Sequence, residues 1–374
     1  MILKSFEYSE FENDGKTWTI KSFELGKINL FTAKNATGKT RTIRAIIVLS
    51  KSIMDNFFND QANYVVEFSD GSENYQYVFS NDSKKVVSEK LTKDNTTLLY
   101  RDSTGKGKIF TAQLMENIDF QSPENKLAIS RRDKLQYPYL EKIHLWANNL
   151  HFYSFGTTMK QEYGKVIDDK HPIFDSNSDN PVEIFAVGEL EFDKKFNESI
   201  LKSMNSIGYN LSTIDVQRWL HKNTNIRSEA YTLFVSEKDN DTIINQYSMS
   251  QGMFRALSII IHLTFHVLMK TPVTILIDDI GEGLDFERSA KLINLLIELA
   301  EKNENIQLIM STNDRYVMNK VPFKYWQLIN RKGGECNVYN YQNSKEIFDE
   351  FKFTGLNNFD FLATDFINSK QEKK

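Results

Sequence analysis

The sequence predicts an α/β fold with a mostly parallel core sheet, an antiparallel β lobe, a helical lobe and no long coiled coil. The apolar run at 273–277 is expected of a buried central strand of a parallel sheet, and a helical pattern separates it from a further strand at 306–310. Over residues 63–110, apolar and polar residues alternate between turn sequences, which is typical of an antiparallel meander. The sequence contains no repeat of about 20 to 50 residues and no sustained heptad, which argues against a coiled-coil arm.

The composition indicates a soluble, cytoplasmic protein. Its 374 residues are 40% hydrophobic, yet no window approaches the roughly 20 uninterrupted apolar residues of a membrane-spanning helix, so we expect no membrane partner. Cys336 is the only cysteine, which excludes an intrachain disulfide and a cysteine zinc cluster, and we expect it to fill a strand. The net charge of −4 argues against a surface that coats nucleic acid throughout, but it leaves room for a local DNA-binding groove.

The N-terminal part of the chain is predicted to alternate strands and turns before its first helix. Residues 2–32 should form three strands, with a turn at Asn13-Asp14-Gly15 after the first. The third strand leads into a short loop, and residues 40–54 then place apolar side chains on one face of a helix. The antiparallel lobe follows at about 60–115, and a helical or irregular insertion at about 115–225.

We assign residues 1–345 to one domain and residues 346–374 to a C-terminal helix or tail. Within the insertion, Ile143–Phe155 is dense in aromatic residues and is expected to include a strand. The other predicted elements are a helix at 195–207, a strand at 230–235, a turn at Asp239-Asn240-Asp241, a helix at 251–269, a strand at 273–277, a helix at 286–302, a strand at 306–310 and short strands at 325–341.

The loop after the third strand has the spacing of a phosphate-binding loop, G-x-x-x-x-G-K-[ST], with alanine in place of the first glycine. Its residues are Ala33, Lys34, Asn35, Ala36, Thr37, Gly38, Lys39 and Thr40. A polyphosphate needs backbone N–H groups at a helix N-terminus, a lysine that reaches its β- and γ-phosphates and a hydroxyl on Mg²⁺. Gly38, Lys39 and Thr40 supply these three parts. The alternative is a Gly-Lys-Thr sequence that lies on the surface and binds no phosphate.

The strand at 273–277 is followed by two carboxylates, Asp278 and Asp279. Ligands of open α/β sheets bind at the carboxyl ends of such strands. We expect Asp278 to hold Mg²⁺, through water, and Asp279 to orient or deprotonate the attacking water. The alternative is a strand that ends in a solvated acidic turn.

A third motif, Ser250-Gln251-Gly252, lies at the start of the helix predicted at 251–269. A serine hydroxyl and backbone N–H groups at a helix N-terminus can bind a γ-phosphate. Alone, the same residues would be a helix cap.

The order and spacing of these motifs resemble the ABC-type ATPases, within them the RecF, SMC and OLD-like branch, over roughly the first 65 residues and residues 230–330. The resemblance identifies the loop as Walker A, Met249–Met253 as the signature, Val273–Asp279 as Walker B, Gly283-Leu284-Asp285 as the D-loop and Met310–Asp314 as the H-loop region. It implies ATP and Mg²⁺ as cofactors. It also implies a homodimer, or a higher homo-oligomer, in which the signature of one chain closes over ATP held by another.

The chain departs from the family at residues that matter for hydrolysis. Asp279 replaces the usual glutamate, and a displacement of order 1 Å in a reacting geometry can cost about 100-fold, so we expect slow hydrolysis. Asn313 replaces the switch histidine; it can hydrogen-bond a γ-phosphate but cannot titrate. Glu282 is either an auxiliary carboxylate or an exposed turn residue. For the Q-loop glutamine, Gln121 and Gln136 both remain candidates. These departures predict a long-lived ATP-bound dimer with hydrolysis as a timer.

Residues 279–289 and 311–315 resemble the compact ATPase subunits of two-gene anti-phage systems such as PARIS and Septu. The resemblance implies a sensor or regulator of a bacterial defence complex. No nuclease constellation follows the ATPase motifs, so the effector, a nuclease or toxin, would be a separate protein. The alternative is a RecF/SMC-like DNA-binding ATPase of repair or recombination. A transporter ATPase is disfavoured by the long N-terminal insertion, the aberrant signature and the absent switch histidine.

Overall fold

The computed structural model describes residues 1–11, 15–156, 164–165, 180–219 and 230–371. These residues form two compact units. The first comprises Met1–Leu150, Pro272–Leu276 and Gln307–Lys374, and the second comprises His151–Thr271 and Ile277–Ile306. Residues 13 and 14 of the predicted first turn lie outside the described residues.

The described strands are, in chain order, β1 (Ile2–Glu10), β2 (Trp18–Glu24), β3 (Ile28–Thr32), β4 (Gln61–Asp70), β5 (Glu73–Asp82), β6 (Lys85–Lys93), β7 (Thr96–Arg101), β8 (Lys106–Thr111), β9 (Glu116–Gln121), β10 (Leu150–Ser154), β11 (Gly164–Lys165), β12 (Leu211–Trp219), β13 (Ala230–Glu237), β14 (Asn240–Asn245), β15 (Val273–Asp278), β16 (Ile306–Ser311), β17 (Trp326–Lys332) and β18 (Glu335–Asn340). The described α-helices are α1 (Lys39–Asp55), α2 (Pro138–Asn148), α3 (Pro181–Phe192), α4 (Lys194–Ser206), α5 (Gln251–Met269), α6 (Phe286–Lys302), α7 (Arg315–Lys320), α8 (Lys345–Lys352), α9 (Asn358–Ala363) and α10 (Phe366–Gln371).

The first unit is built on a large mixed sheet in the order β15-β16-β3-β17-β18-β2-β1-β4-β5-β6-β7-β8-β9. Of the four pairings from β16 to β2, three are parallel and one, β17 with β18, is antiparallel. From β2 to β9 every pairing is antiparallel. The predicted α/β class with a mostly parallel core is confirmed, and the antiparallel strands continue the core sheet through β1 and β4.

Strand β3 lies between β16 and β17 in the parallel part of this sheet and is buried at all five positions. Its one polar amide, Asn29, is satisfied internally, because its side chain exchanges hydrogen bonds of 2.8 Å with the backbone of Gly26. Helix α1 follows and buries Ile43, Ile46 and Leu49 completely. The predicted helix at 40–54 is thus confirmed, and the spacing of its apolar residues explains which face is buried.

The second unit combines a small antiparallel sheet with helices. Strand β13 pairs with β11, β12 and β14. Helices α3 and α4 both pack against α5. The turn predicted at residues 239–241 begins one residue earlier, at Lys238, because Asn240 already belongs to β14.

Helix α5 has the length and hydropathy of a membrane-crossing helix, but 83% of its 18-residue window is buried inside the protein, as in a core helix. It carries two buried histidines in an otherwise apolar stretch, His262 and His266. The Nε2 atom of His266 lies 3.2 Å from Nε2 of His151 on β10, and its Nδ1 atom lies 2.7 Å from Oγ1 of Thr271. His262 hydrogen-bonds the hydroxyl of Tyr153.

Candidate functional site

The predicted phosphate loop connects the end of β3 to the start of α1. Gly38 is the N-cap of α1 and has φ 113°, a conformation that side chains other than glycine rarely adopt. A Cβ atom added at Gly38 would lie 3.0 Å from Cζ2 of Trp18, which is fully buried. The backbone conformation and the close approach of Trp18 therefore both require glycine here.

The N-terminus of α1 has the donors that a polyphosphate needs. No side chain caps it and its first turn contains no acidic residue. Ser250, Asp285 and Asp314 cap α5, α6 and α7 with their side chains, whereas α2, α4 and α8 have no side-chain cap, like α1. The Lys39 ammonium donates to the carbonyl of Ala33 across the loop at 3.1 Å. Backbone N–H groups, an ammonium and the Thr40 hydroxyl form a donor set that fits phosphates with a divalent ion.

The outer side of the loop is held by the rest of the first unit. Thr37 donates through Oγ1 to the carbonyl of Lys34 at 2.7 Å. Arg331 donates to the carbonyl of Ala36 at 3.3 Å, and the Cys336 thiol donates to that of Thr37 at 3.4 Å. Cys336 is fully buried in β18, as predicted, and burial raises the pKa of its thiol. Asn35 is exposed.

Asn313 follows the carboxyl end of β16, at the same edge of the sheet at which the phosphate loop follows β3. Strand β16 runs parallel to β3 with Ser311 beside Phe31, and Thr312 N donates to the carbonyl of Phe31 at 3.3 Å. Residues 312–313 therefore follow β16 next to the point where residue 33 follows β3. The Asn313 side chain is exposed, so the first unit brings a polar amide to the edge that carries the loop.

In the second unit, the last residues of β15 lead into a tight turn. Asp278 is 6% exposed, and its carbonyl accepts from Phe155 N at 2.9 Å. Asp279 has φ 57°, and its carbonyl accepts from Glu282 N at 3.1 Å. A Cβ atom added at Gly156 would lie 2.9 Å from Oδ2 of Asp279, so the absence of a side chain at residue 156 makes room for this carboxylate. Glu282 is exposed in the turn, the simpler of its two predicted situations.

The signature residues pack against the same turn. Ser250 caps α5, because its hydroxyl oxygen accepts a hydrogen bond from Met253 N at 3.2 Å. This contact is the one expected of a helix cap, the alternative given for this motif. A Cβ atom added at Gly252 would lie 2.7 Å from the carbonyl of Gly283 in the predicted D-loop. Oε1 of Gln251 is buried without a hydrogen-bond partner among the described residues.

Two residues in contact with these motifs were not predicted from the sequence. Arg255, the one lysine or arginine in α5, donates to the carbonyl of Glu282 at 2.9 Å. A lone arginine in an apolar helix is a signal that could have been used, because buried charges need specific partners. Trp18, on β2, packs beside Gly38 at the start of α1. No local sequence pattern predicts this contact.

The predicted magnesium ligands belong to different units: Thr40 to the first and Asp278 to the second. Among the described residues, no group of three or more histidines, cysteines and carboxylates could hold a metal ion. Mg²⁺ is commonly bound by one or two protein side chains together with substrate phosphates and water. The roles predicted for the site residues stay predictions.

A family model described as "AAA domain, putative AbiEii toxin, Type IV TA system" matches residues 34–319. The chain is similar to the SMC head domain from Thermotoga maritima, at 13% identity and a TM-score of 0.44, covering 91% of this chain and 99% of that chain. It is also similar to the Smc head domain from Pyrococcus furiosus, which has an extended coiled coil and is bound to the C-terminal domain of ScpA. There the identity is 10%, the TM-score 0.50, and 94% of this chain and 99% of that chain are covered. No curated protein matches. The second likeness confirms the predicted head-type fold.

Proposed function

The chain belongs to the AAA_21 family of AAA domains, and from this membership we propose that it binds ATP with Mg²⁺ and hydrolyses it slowly as a molecular switch. The observation that carries the proposal is the combination found at the start of α1: an N-terminus with no side-chain cap, Gly38 at φ 113° and the Lys39 ammonium directed back across the loop to Ala33. Such a terminus attracts anions through its N–H groups and helix dipole.

The side chains divide into groups with different tasks. The backbone of residues 33–38 surrounds the phosphates, and the Lys39 ammonium neutralises their charge. Thr40 would hold Mg²⁺ directly and Asp278 through water, and the ion would supply positive charge to the phosphates. Asp279 orients the attacking water and accepts its proton, and Asn313 donates to the γ-phosphate. Glu282 is the reserve carboxylate, and its exposure supports a lesser role.

Two copies of the chain complete each other's sites. Ser250, Gln251 and Gly252 of one copy close over the ATP of another, within a homodimer or a higher homo-oligomer. Two exposed aromatic residues near this motif support an interface there: Tyr247 is 37% exposed and Phe286 is 64% exposed.

The cellular role that we propose is a cytoplasmic sensor or regulator of a bacterial anti-phage defence complex, acting on a separate nuclease or toxin. Two observations support it. The matching family description includes a toxin–antitoxin system, and residues 279–289 resemble defence ATPase subunits. The second candidate, a DNA-binding ATPase of repair, is favoured by the SMC-head fold. DNA affinity that rises with ATP and falls steeply with salt would favour the second candidate.

The deciding experiment measures molecular mass and nucleotide binding for the wild type, Lys39→Ala and Lys51→Ala, with and without ATP and Mg²⁺. Lys51 is exposed on the same helix and serves as the matched control. We expect ATP to drive assembly of the wild type and Lys51→Ala, but not of Lys39→Ala. Nucleotide binding that is identical in all three proteins would contradict the proposed site.

A further inference from the structure

The C-terminal helices α8, α9 and α10, residues 345–371, form what we call the C-terminal strap. The strap packs on the rest of the first unit through an aromatic cluster. Its members are Phe323, Trp326, Phe348, Phe351, Phe361 and Phe366. The rings of Phe348 and Phe361 stack with centroids 4.7 Å apart, and both side chains are at most 1% exposed. Burial of this kind fixes the strap firmly, because removing large aromatic side chains from water favours the packed state.

The strap reaches the residues that follow Asn313. The Asn319 side chain on α7 accepts from Phe359 N at 2.8 Å. Asn358 donates to the carbonyl of Val321 at 3.0 Å, just beyond α7. The start of α9 is therefore attached to the helix that begins two residues after Asn313.

The strap also reaches the phosphate loop. The Lys34 ammonium lies 2.8 Å from Oδ2 of Asp365, between α9 and α10. Asn368 donates to the other Asp365 oxygen at 2.9 Å and accepts from Asn330 at 2.7 Å. Burial alone would raise the pKa of Asp365, but the hydrogen bonds from Lys34 and Asn368 lower it overall, so the carboxylate stays ionised. The next residue of β17, Arg331, donates to the loop carbonyl of Ala36.

From these contacts we infer that the C-terminal strap positions the phosphate loop, with Asp365 acting through Lys34 as a positioning residue. The inference rests on the proposed ATP site. Lys34 and Ala36 are exposed, so the strap restrains a rim of the loop that solvent would otherwise leave mobile. A loop held in its binding conformation loses less entropy when ligand binds. Asp365 contacts the second residue of the loop and not Lys39 or Thr40, so the effect falls on ATP affinity rather than on turnover.

The test is a double-mutant cycle on ATP affinity in the full chain, with Asp365→Ala, Lys34→Ala and the double variant. Exposed ion pairs contribute at most about 1 kcal/mol, which corresponds to about a two- to fivefold weaker Kd for ATP in Asp365→Ala. In Asp365→Ala, turnover at saturating ATP and the melting temperature should stay at wild-type values. In the Lys34→Ala background, Asp365→Ala should have no further effect. Glu350→Gln is the matched control, because it breaks an ion pair with Lys370 that lies within the strap and does not involve the loop.

Other results would overturn the inference in recognisable ways. Unchanged or tighter ATP binding by Asp365→Ala would mean that the carboxylate does not position the loop. A loss that persists in the Lys34→Ala background would mean that Asp365 does not act through Lys34. If wild type and Lys39→Ala bind ATP equally, the proposed function fails and the inference falls with it. If only Lys39→Ala loses binding while Asp365→Ala behaves as wild type, the inference fails alone.

Discussion

Asp279 occupies a left-handed backbone conformation, φ 57°, directly after a buried strand. Such positions are uncommon outside glycine, and they recur where a site needs a side chain in a fixed direction. The carboxylate lies close to Gly156, where an added Cβ atom would come within 2.9 Å of Oδ2. The length of the Asp279 side chain therefore sets how far its carboxylate extends from the backbone.

We expect Asp279→Glu to raise the rate of phosphate release by about ten- to 100-fold, because the added methylene moves the carboxylate toward the water by of order 1 Å. Steady-state release of phosphate measures this directly. Asp279→Asn should keep nucleotide binding and lose turnover. Wild-type turnover in both variants would show that Asp279 is not the catalytic carboxylate.

A second residue-scale prediction concerns Gly38. Gly38→Ala should abolish ATP binding, because the new Cβ would meet Trp18 at 3.0 Å and φ 113° disfavours any side chain. Gly71→Ala is the matched control: Gly71 also has positive φ, 63°, but no atom lies within 4 Å of the added Cβ. It should cost about 1 kcal/mol of stability and leave ATP binding intact. Isothermal titration and urea unfolding of both variants separate the loss of the site from backbone strain.

At the scale of elements, the contact between β10 and α5 makes stability depend on pH. The pKa of His266 is lowered to about 3 by burial, by His151 and by His262. The unfolded chain binds a proton at His266 below its ordinary pKa of about 6.5, while the folded chain stays neutral there. Stability is thus fully present above pH 6.5 and is lost as the pH falls toward 3.

From this difference we expect His266 to lower the unfolding free energy by about 2 kcal/mol between pH 6.5 and pH 5. Urea unfolding across this range should show a shallower pH dependence for His266→Gln than for the wild type. His144, whose pKa is also lowered by burial, will leave a residual dependence in the variant. Equal slopes in the two proteins would mean that His266 is not held neutral by the fold.

Elements with a strong apolar pattern were predictable. The buried strands β15 and β16 and the helices α1, α5 and α6 begin and end within two residues of their predicted limits. Strands β9 and β12 were missed because many of their side chains are exposed, so hydrophobic periodicity is weak. The phosphate loop could be found because phosphate binding requires glycine and lysine at a fixed spacing. Trp18 and Asp365 could not be assigned, because their partners Gly38 and Lys34 lie elsewhere in the sequence.

At the scale of the whole molecule, the proposed site needs two chains. Lys39→Ala removes the loop lysine but keeps the signature, whereas Ser250→Arg disrupts the signature but keeps the loop. Each variant alone should be inactive. In an equal mixture, half of the dimers carry one intact composite site, so activity should recover to about a quarter of the wild-type value. An inactive mixture that still forms mixed dimers would argue that each site is built within one chain.

The position of β3 in the sheet has a consequence for the newly made protein. Its two neighbours, β16 and β17, start at Ile306 and Trp326, while β3 itself starts at Ile28. At roughly 5–20 residues per second, the ribosome takes of the order of tens of seconds to make the intervening chain. During that time β3, which leads into the phosphate loop, lacks both of its neighbouring strands. Only a nearly complete polypeptide can fold the phosphate loop between its two neighbouring strands. Unfinished chains are therefore not expected to bind ATP.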